Sequence, residues 1–250
     1  MTTKVYERSL RAQTCADLLS SGVCEGFSEC TILPIPTTRD GVCVTGHDIT
    51  LADAIDAASD GSLLVGYGLP SAYADSARER GITVIDSYGD EEFLTANAEL
   101  TAECALGIIL TSEKRAPRDM KIGVVGYGRI GKCMTRLLLY LGASVTVYTR
   151  RRSVCLELGE CGIPADTSTD PAVLSRLDIL INTAPAAVFD TASEGFPHGL
   201  RVIDLASGTN FPEYAAVEKY PSVPARMFPR SAGRIWYESV KRLLSKKGGS

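Results

Sequence analysis

Three glycines carry the strongest chemical signal in this chain. Gly126, Gly128 and Gly131 stand in the stretch "VVGYGRIG", a G-x-G-x-x-G pattern. The first glycine permits a tight turn, the second lets backbone approach a pyrophosphate, and the third lets a helix pack closely on a strand. A helix that opens behind such a turn offers N–H groups and the positive end of its dipole to phosphate. With Tyr127, Arg129 and Ile130, these glycines form a candidate cradle for a nicotinamide dinucleotide. The next strand, "SVTVY" (144–148), ends in Thr149, Arg150, Arg151 and Arg152, with no acid until Glu157. An NAD site usually carries Asp or Glu there, accepting hydrogen bonds from the adenosine ribose. A carboxylate would repel a 2′-phosphate. Threonine and arginine bind one, arginine through charge-assisted hydrogen bonds. The expectation is therefore NADP(H) at Thr149, Arg150 and Arg151, with NAD(H) as the alternative.

Two later strands end in small or polar residues. "INTAPA" (181–186) places Asn182, Thr183, Ala184 and Pro185 at one strand end, and "VIDLASG" (202–208) places Leu205, Ala206 and Ser207 at the next. In a doubly wound sheet, ligands bind beyond the carboxyl ends of the strands. These seven residues are expected to face the nicotinamide half of a cofactor.

The elements that must hold these residues alternate strand and helix through most of the chain, which predicts an α/β fold. "KIGVV" reads as a buried parallel strand before the glycine loop. Ile130, Met134, Leu137, Leu138 and Leu141 then recur at helical spacing, and Gly142 follows as a stop. "DILIN" (178–182) and "LRVIDLA" (200–206) read as further strands of a Rossmann-type, doubly wound parallel sheet. Upstream, "TILPI" (31–35), "SLLVGY" (62–67) and "ITVID" (82–86) read as strands of a second, smaller parallel sheet, flavodoxin-like or degenerate Rossmann. Helices are expected over 50–59 and 72–81. The segment 6–20 reads as an amphipathic helix, with little before it to form a first strand. Residues 90–115 read as a long helix crossing between domains, acidic at its start, basic at its end and stopped by Pro117. The expected division is an N-terminal α/β domain over 1–95, joined by a C-terminal helix over 232–250, and a nucleotide domain over 96–231.

Composition narrows the function classes. The chain has 250 residues, 45% of them hydrophobic, and 26 basic against 30 acidic residues for a net charge of −4. That balance gives no footprint for nucleic acid. No apolar run approaches ~18 residues, so no membrane span is expected, and the N-terminus lacks a signal-peptide core. A cytoplasmic protein is the expectation. The eight cysteines show no C-x-x-C pair and have two histidines for company, so they read as reduced thiols acting as small hydrophobes, with a redox or metal role for the closest pairs, Cys24/Cys30 and Cys155/Cys161, as the alternative.

With these residues in view, the chain resembles the dipicolinate synthase A family, itself related to D-2-hydroxyacid dehydrogenases. The pieces that carry the resemblance are "ILPIPTTRDGV" (32–42), "LTAECALGIIL" (100–110), "VVGYGRIGKCMTRLLLYLGASVTVYTR" (124–150), "INTAPAAVFD" (181–190), "VIDLAS" (202–207) and "SAGRI" (231–235). The resemblance implies oxidation of a dihydrodipicolinate-type precursor, on the way to a spore metabolite, by hydride transfer to the nicotinamide. By analogy it implies a homo-oligomer, and it brings in a second, flavoprotein-like subunit. On that reading Thr101, Glu103 and Ser231 are the catalytic candidates, and Thr37 and Thr38 the substrate-binding ones. The family's opening strand, the arginine after "VIDLAS" and a glycine-rich loop before the last helix are not evident here. Two alternatives follow: a nicotinamide-nucleotide-binding protein without catalysis, or a plain D-2-hydroxyacid dehydrogenase. The second lacks its arginine, and His198 reads as a surface turn residue.

Overall fold

The computed structural model describes residues 1–22, 24, 26–167, 170–185, 196–206, 211–212 and 214–248. It divides into two compact units, Met1–Asn97 with Phe228–Ser250, and Ala98–Met227. The division falls within one helix, Glu91–Ser112.

Among the described residues, the first unit holds a parallel sheet of β1 (Thr2–Val5), β2 (Glu29–Ile32), β3 (Leu63–Gly66) and β4 (Thr83–Asp86), in that order. The helices between them are α1 (Leu10–Ser20), α2 (Leu51–Asp56) and α3 (Ser71–Glu79). Side chains alternate along each strand. Cys30, Ile32, Leu63, Val65 and Ile85 therefore meet α1 and the C-terminal helix α9 (Pro229–Gly248), through Ala12, Cys15, Leu19, Trp236 and Val240. Leu64 and Val84 meet α2 and α3 on the other face. Sealing on both faces explains why these strands read as near-continuous apolar runs.

The second unit contains β5 (Lys121–Val125), β6 (Ser144–Tyr148), β7 (Ala165–Asp166), β8 (Ile179–Asn182), β9 (Arg201–Asp204) and β10 (Ala216–Lys219). They pair in parallel in the order β10-β9-β8-β5-β6-β7. Counted from β5 this is 6-5-4-1-2-3, the strand order of the Rossmann fold. One face packs on α4 (Glu91–Ser112) and α5 (Arg129–Tyr140), with Ile122, Val124, Ile179, Ile181 and Ile203 against Ala105, Ile109, Met134 and Leu138. The opposite face carries Val125, Tyr148, Leu180 and Val202. The shorter helices are α6 (Arg152–Glu160), α7 (Pro171–Leu174) and α8 (Val223–Met227).

Four expectations need correction. The chain does open on a strand: β1 pairs in parallel with β2 from Thr2↔Glu29 to Val5↔Ile32. Four residues, two of them threonine and one lysine, give no apolar run, so tertiary pairing makes this edge strand. The long helix ends at Ser112, before Pro117, which instead begins a 3-10 turn, Pro117–Asp119. The hydroxyls of Thr111 and Ser112 donate to the carbonyls of Gly107 and Ile108, closing the last turn locally. That same helix is long and apolar enough to cross a membrane by length and composition. Here it is a core helix: Ala102, Cys104, Ala105 and Ile109 are fully buried while Glu91, Glu92, Glu99 and Glu103 face outward. Finally, the segment before the last helix is α8 followed closely by α9, which starts at Pro229 rather than near 232.

The described cysteines are all free, and five are buried. Burial raises the Cys15 thiol, and pushes Cys30 up to about 12 and Cys104 up to about 11. Neutral thiols of this kind behave as small hydrophobes. Among the described residues, no group of His, Cys, Asp and Glu is placed to hold a metal.

Candidate nucleotide site

The glycine turn lies where the strand order reverses, between β5 and its two neighbours, β6 and β8. Gly126 has φ +88°, a left-handed value that disfavours any side chain. Its N–H donates to Tyr148 O of β6 at 2.8 Å. A Cβ on Gly131 would stand 2.1 Å from Gly126 O, so the first turn of α5 presses directly on the loop. A Cβ on Gly128 would meet nothing within 4 Å, so this side of the turn is open. Gly128 is the N-cap of α5, without a side-chain cap and without an acid in the first turn. The amide end of the helix is thus left for an outside anion, and a pyrophosphate fits it.

Thr183, expected at the cofactor, braces the turn. Its N–H and its hydroxyl both donate to Val125 O, at 2.9 and 2.8 Å, and the hydroxyl lies 3.4 Å from Gly126 O. Ala184 packs beneath Gly126, where a Cβ would come within 3.2 Å of its own. Pro185 is exposed.

At the end of β6, Thr149 is buried, and its hydroxyl accepts the Arg151 N–H at 3.3 Å. Arg150, Arg151 and Arg152 are exposed, and none forms an ion pair among the described residues. Arg151 Nη2 donates to Tyr127 O at 3.2 Å, which fastens the arginine turn to the glycine loop. The Tyr127 ring packs beside Val147, Val154 and Leu158, with Lys132 Nζ 5.4 Å from its centroid. Burial, then the nearby Glu157 and Cys161, raise the Tyr127 phenol above its ordinary range, so it stays neutral. Arg129 is exposed and Ile130 half-buried on the first turn of α5.

Asn182 is buried at the end of β8. Its Nδ2 donates to Asp204 Oδ1 at 2.9 Å, and its Oδ1 accepts Ala184 N–H at 3.2 Å. Asp204, at the end of β9, is 2% exposed and also accepts Ala206 N–H at 3.1 Å. Sequence reasoning missed Asp204. The available signal was an acid inside the apolar run "VIDLA", at the carboxyl end of a buried strand. Leu205 is buried and Ala206 half-buried, while Ser207 lies outside the described residues.

The remaining candidates are divided between the two units. Thr101 is buried on α4 and Glu103 exposed on it, both in the second unit. Thr37, Thr38 and Ser231 belong to the first unit. Thr37 is fully buried, its hydroxyl donating to Pro34 O and accepting Tyr67 N–H at 2.7 Å. The Thr38 hydroxyl donates to Asp40 and accepts Gly41 N–H. Ser231 is exposed in a groove with Thr14, Leu18, Arg230, Arg234 and Ile235, between α1 and α9. His198 is exposed in a turn, stacked on Tyr214 at 4.6 Å.

Comparison with known proteins agrees with this geometry. Residues 109–191 match the family model of the D-isomer specific 2-hydroxyacid dehydrogenase NAD binding domain. No curated protein matches the chain in sequence. Among solved structures, dipicolinate synthase A from Bacillus subtilis superposes with a TM-score of 0.74 at 18% identity, covering 99% of this chain and 96% of that one. Its counterpart from Bacillus halodurans gives 0.73 at 20% identity, covering 98% and 97%. D-lactate dehydrogenase from Escherichia coli gives 0.61 at 15% identity, covering 100% and 98%. The chain therefore has the α/β, Rossmann-type fold seen in dipicolinate synthase A and D-lactate dehydrogenase, and its residues 109–191 match the NAD binding domain of the 2-hydroxyacid dehydrogenase kind.

Proposed function

We propose that this chain is an NADP-dependent oxidoreductase of the dipicolinate synthase A type, oxidising a dihydrodipicolinate-type precursor. The observation that carries the nucleotide half is the pairing of an uncapped α5 N-terminus with three arginines that lack counter-ions among the described residues, joined through Arg151 and Tyr127 O. Gly126, Gly128 and the first turn of α5 hold the pyrophosphate, while Thr149, Arg150 and Arg151 take the 2′-phosphate. Asn182 and Asp204 line the edge beyond β8 and β9. A bound nicotinamide supplies the hydride acceptor, and aromatisation of the substrate ring supplies driving force. The protein then has mainly to orient two rings and hold two carboxylates. Thr101, Glu103 and Ser231 remain the candidates for the reacting side. A homo-oligomeric state, a cytoplasmic location and a flavoprotein-like partner belong to the same proposal.

A second reading is a nucleotide-binding protein without catalysis. It is favoured by Thr37 and Thr38, whose hydroxyls are already engaged within the chain. One assay separates the two. Dihydrodipicolinate is generated in situ, with NADP⁺, and nicotinamide absorbance is followed with and without a flavoprotein partner. Reduction of NADP⁺ is expected. Tight NADP(H) binding with no turnover under either condition would leave the binding protein as the answer.

A further inference from the structure

Asp204 is a buried acid at this edge to which the nucleotide reading gives no chemical task. It is 2% exposed at the carboxyl end of β9. Among the described residues, both hydrogen bonds its side chain accepts, from Asn182 Nδ2 and Ala206 N–H, go to Oδ1. Its Oδ2 has no partner among the described residues. An ionised carboxylate offers about four acceptor positions. A buried one is costly unless matched by donors. An asparagine would satisfy both existing contacts through its own Oδ1, so those contacts do not explain the acid.

Position supplies the rest. Asp204 pairs in register with Asn182, and Asn182 with Val125, the residue before Gly126. The carboxylate therefore lies in the row of strand ends that carries the glycine turn. We propose that Asp204 Oδ2 accepts an N–H donor from the ligand bound there. Two sources carry that chemistry: the carboxamide of a nicotinamide, or the ring N–H of a partly saturated nitrogen heterocycle. The inference rests on the nucleotide reading above and adds which ligand atom this edge recognises.

Asp204→Asn tests it, because the remaining Oδ1 keeps both protein contacts while the other position becomes an NH₂ donor that opposes a ligand N–H. Binding is measured by calorimetry in two arms. The first compares NADP⁺ with its acetylpyridine analogue, which lacks the amide N–H. The second, with nucleotide bound, compares a piperidine dicarboxylate with the aromatic pyridine dicarboxylate, which lacks a ring N–H. In one arm the wild type should prefer the N–H ligand by roughly tenfold or more, and Asp204→Asn should lose that preference. The arm that responds identifies the source. Indifference of the wild type in both arms would overturn the inference, even if Asp204→Asn fails to fold. So would a preference that survives in Asp204→Asn. A wild type that binds no nucleotide would instead sink the nucleotide reading, and this inference with it.

Discussion

The arginine turn makes the sharpest quantitative prediction. Replacing Arg150 and Arg151 together by alanine removes two cations from the end of β6 and leaves the fold there nearly untouched. Both side chains are exposed, and Arg151, the N-cap of α6, caps with no side-chain hydrogen bond. Among the described residues, only the Arg151–Tyr127 O contact at 3.2 Å is lost. A 2′-phosphate brings a charge of about −1.5 to −2. Against an exposed guanidinium at contact distance, the attraction is about 1 kcal/mol in a water-like medium, and somewhat more with a charge-assisted hydrogen bond. Two such contacts total about 2–3 kcal/mol, a loss of roughly 30- to 150-fold in NADPH affinity. NADH has no phosphate there, so it should lose only about twofold to threefold, through the loosened glycine loop. Calorimetry with both nucleotides on wild type and variant reads the difference, and added salt should shrink the NADPH advantage. Equal losses for the two nucleotides, or a wild type that prefers NADH, would refute the reasoning.

Gly131→Ala should fail differently, because its Cβ would sit 2.1 Å from Gly126 O. Relieving that overlap is expected to cost about 1–3 kcal/mol of stability and to weaken NADPH and NADH alike, read by denaturant unfolding and calorimetry. Acid sensitivity should trace partly to Asp90, whose Oδ2 accepts Arg242 Nη2 at 2.5 Å. Burial pushes its carboxyl up, but hydrogen bonds from Arg242 and Ser239 and the Arg242 charge together outweigh it and hold the pKa below the ordinary range. A lowered folded pKa stabilises above the unfolded value of about 4 and loses that contribution as pH falls through the folded one. The pH profile of melting should therefore be flatter in acid for Asp90→Asn; an unchanged slope would remove Asp90 from the explanation.

What the sequence made legible follows the range of the interactions involved. The glycine turn, its flanking strand and the amphipathic helix behind it are local patterns, and their period and spacing located all three. "SVTVY" coincides with β6 residue for residue. The β1 strand was illegible because its identity lies in pairing with β2, not in Thr2, Thr3 or Lys4. Pro117 misled because a proline marks where a helix cannot continue, while Thr111 and Ser112 show where this one closes. Thr37 is a candidate ligand contact by sequence, and in the fold its hydroxyl also meets Tyr67 N–H, thirty residues away. Only the folded chain shows that such a hydroxyl is engaged.

Asp204 shows the same limit at the site itself. Val125, Asn182 and Asp204 stand on one line across three adjacent strands because the parallel register aligns them. No spacing in the sequence fixes that line. It follows from the order β9-β8-β5 and from apolar faces that tolerate one register. Shifting β9 by one residue would turn Val202 and Ile203 to the wrong faces and the carboxylate away from Asn182. The buried Asn182–Asp204 contact is then both a product of the register and a check on it. The core that selects this register also fixes which oxygen of Asp204 is held and which is left to a ligand.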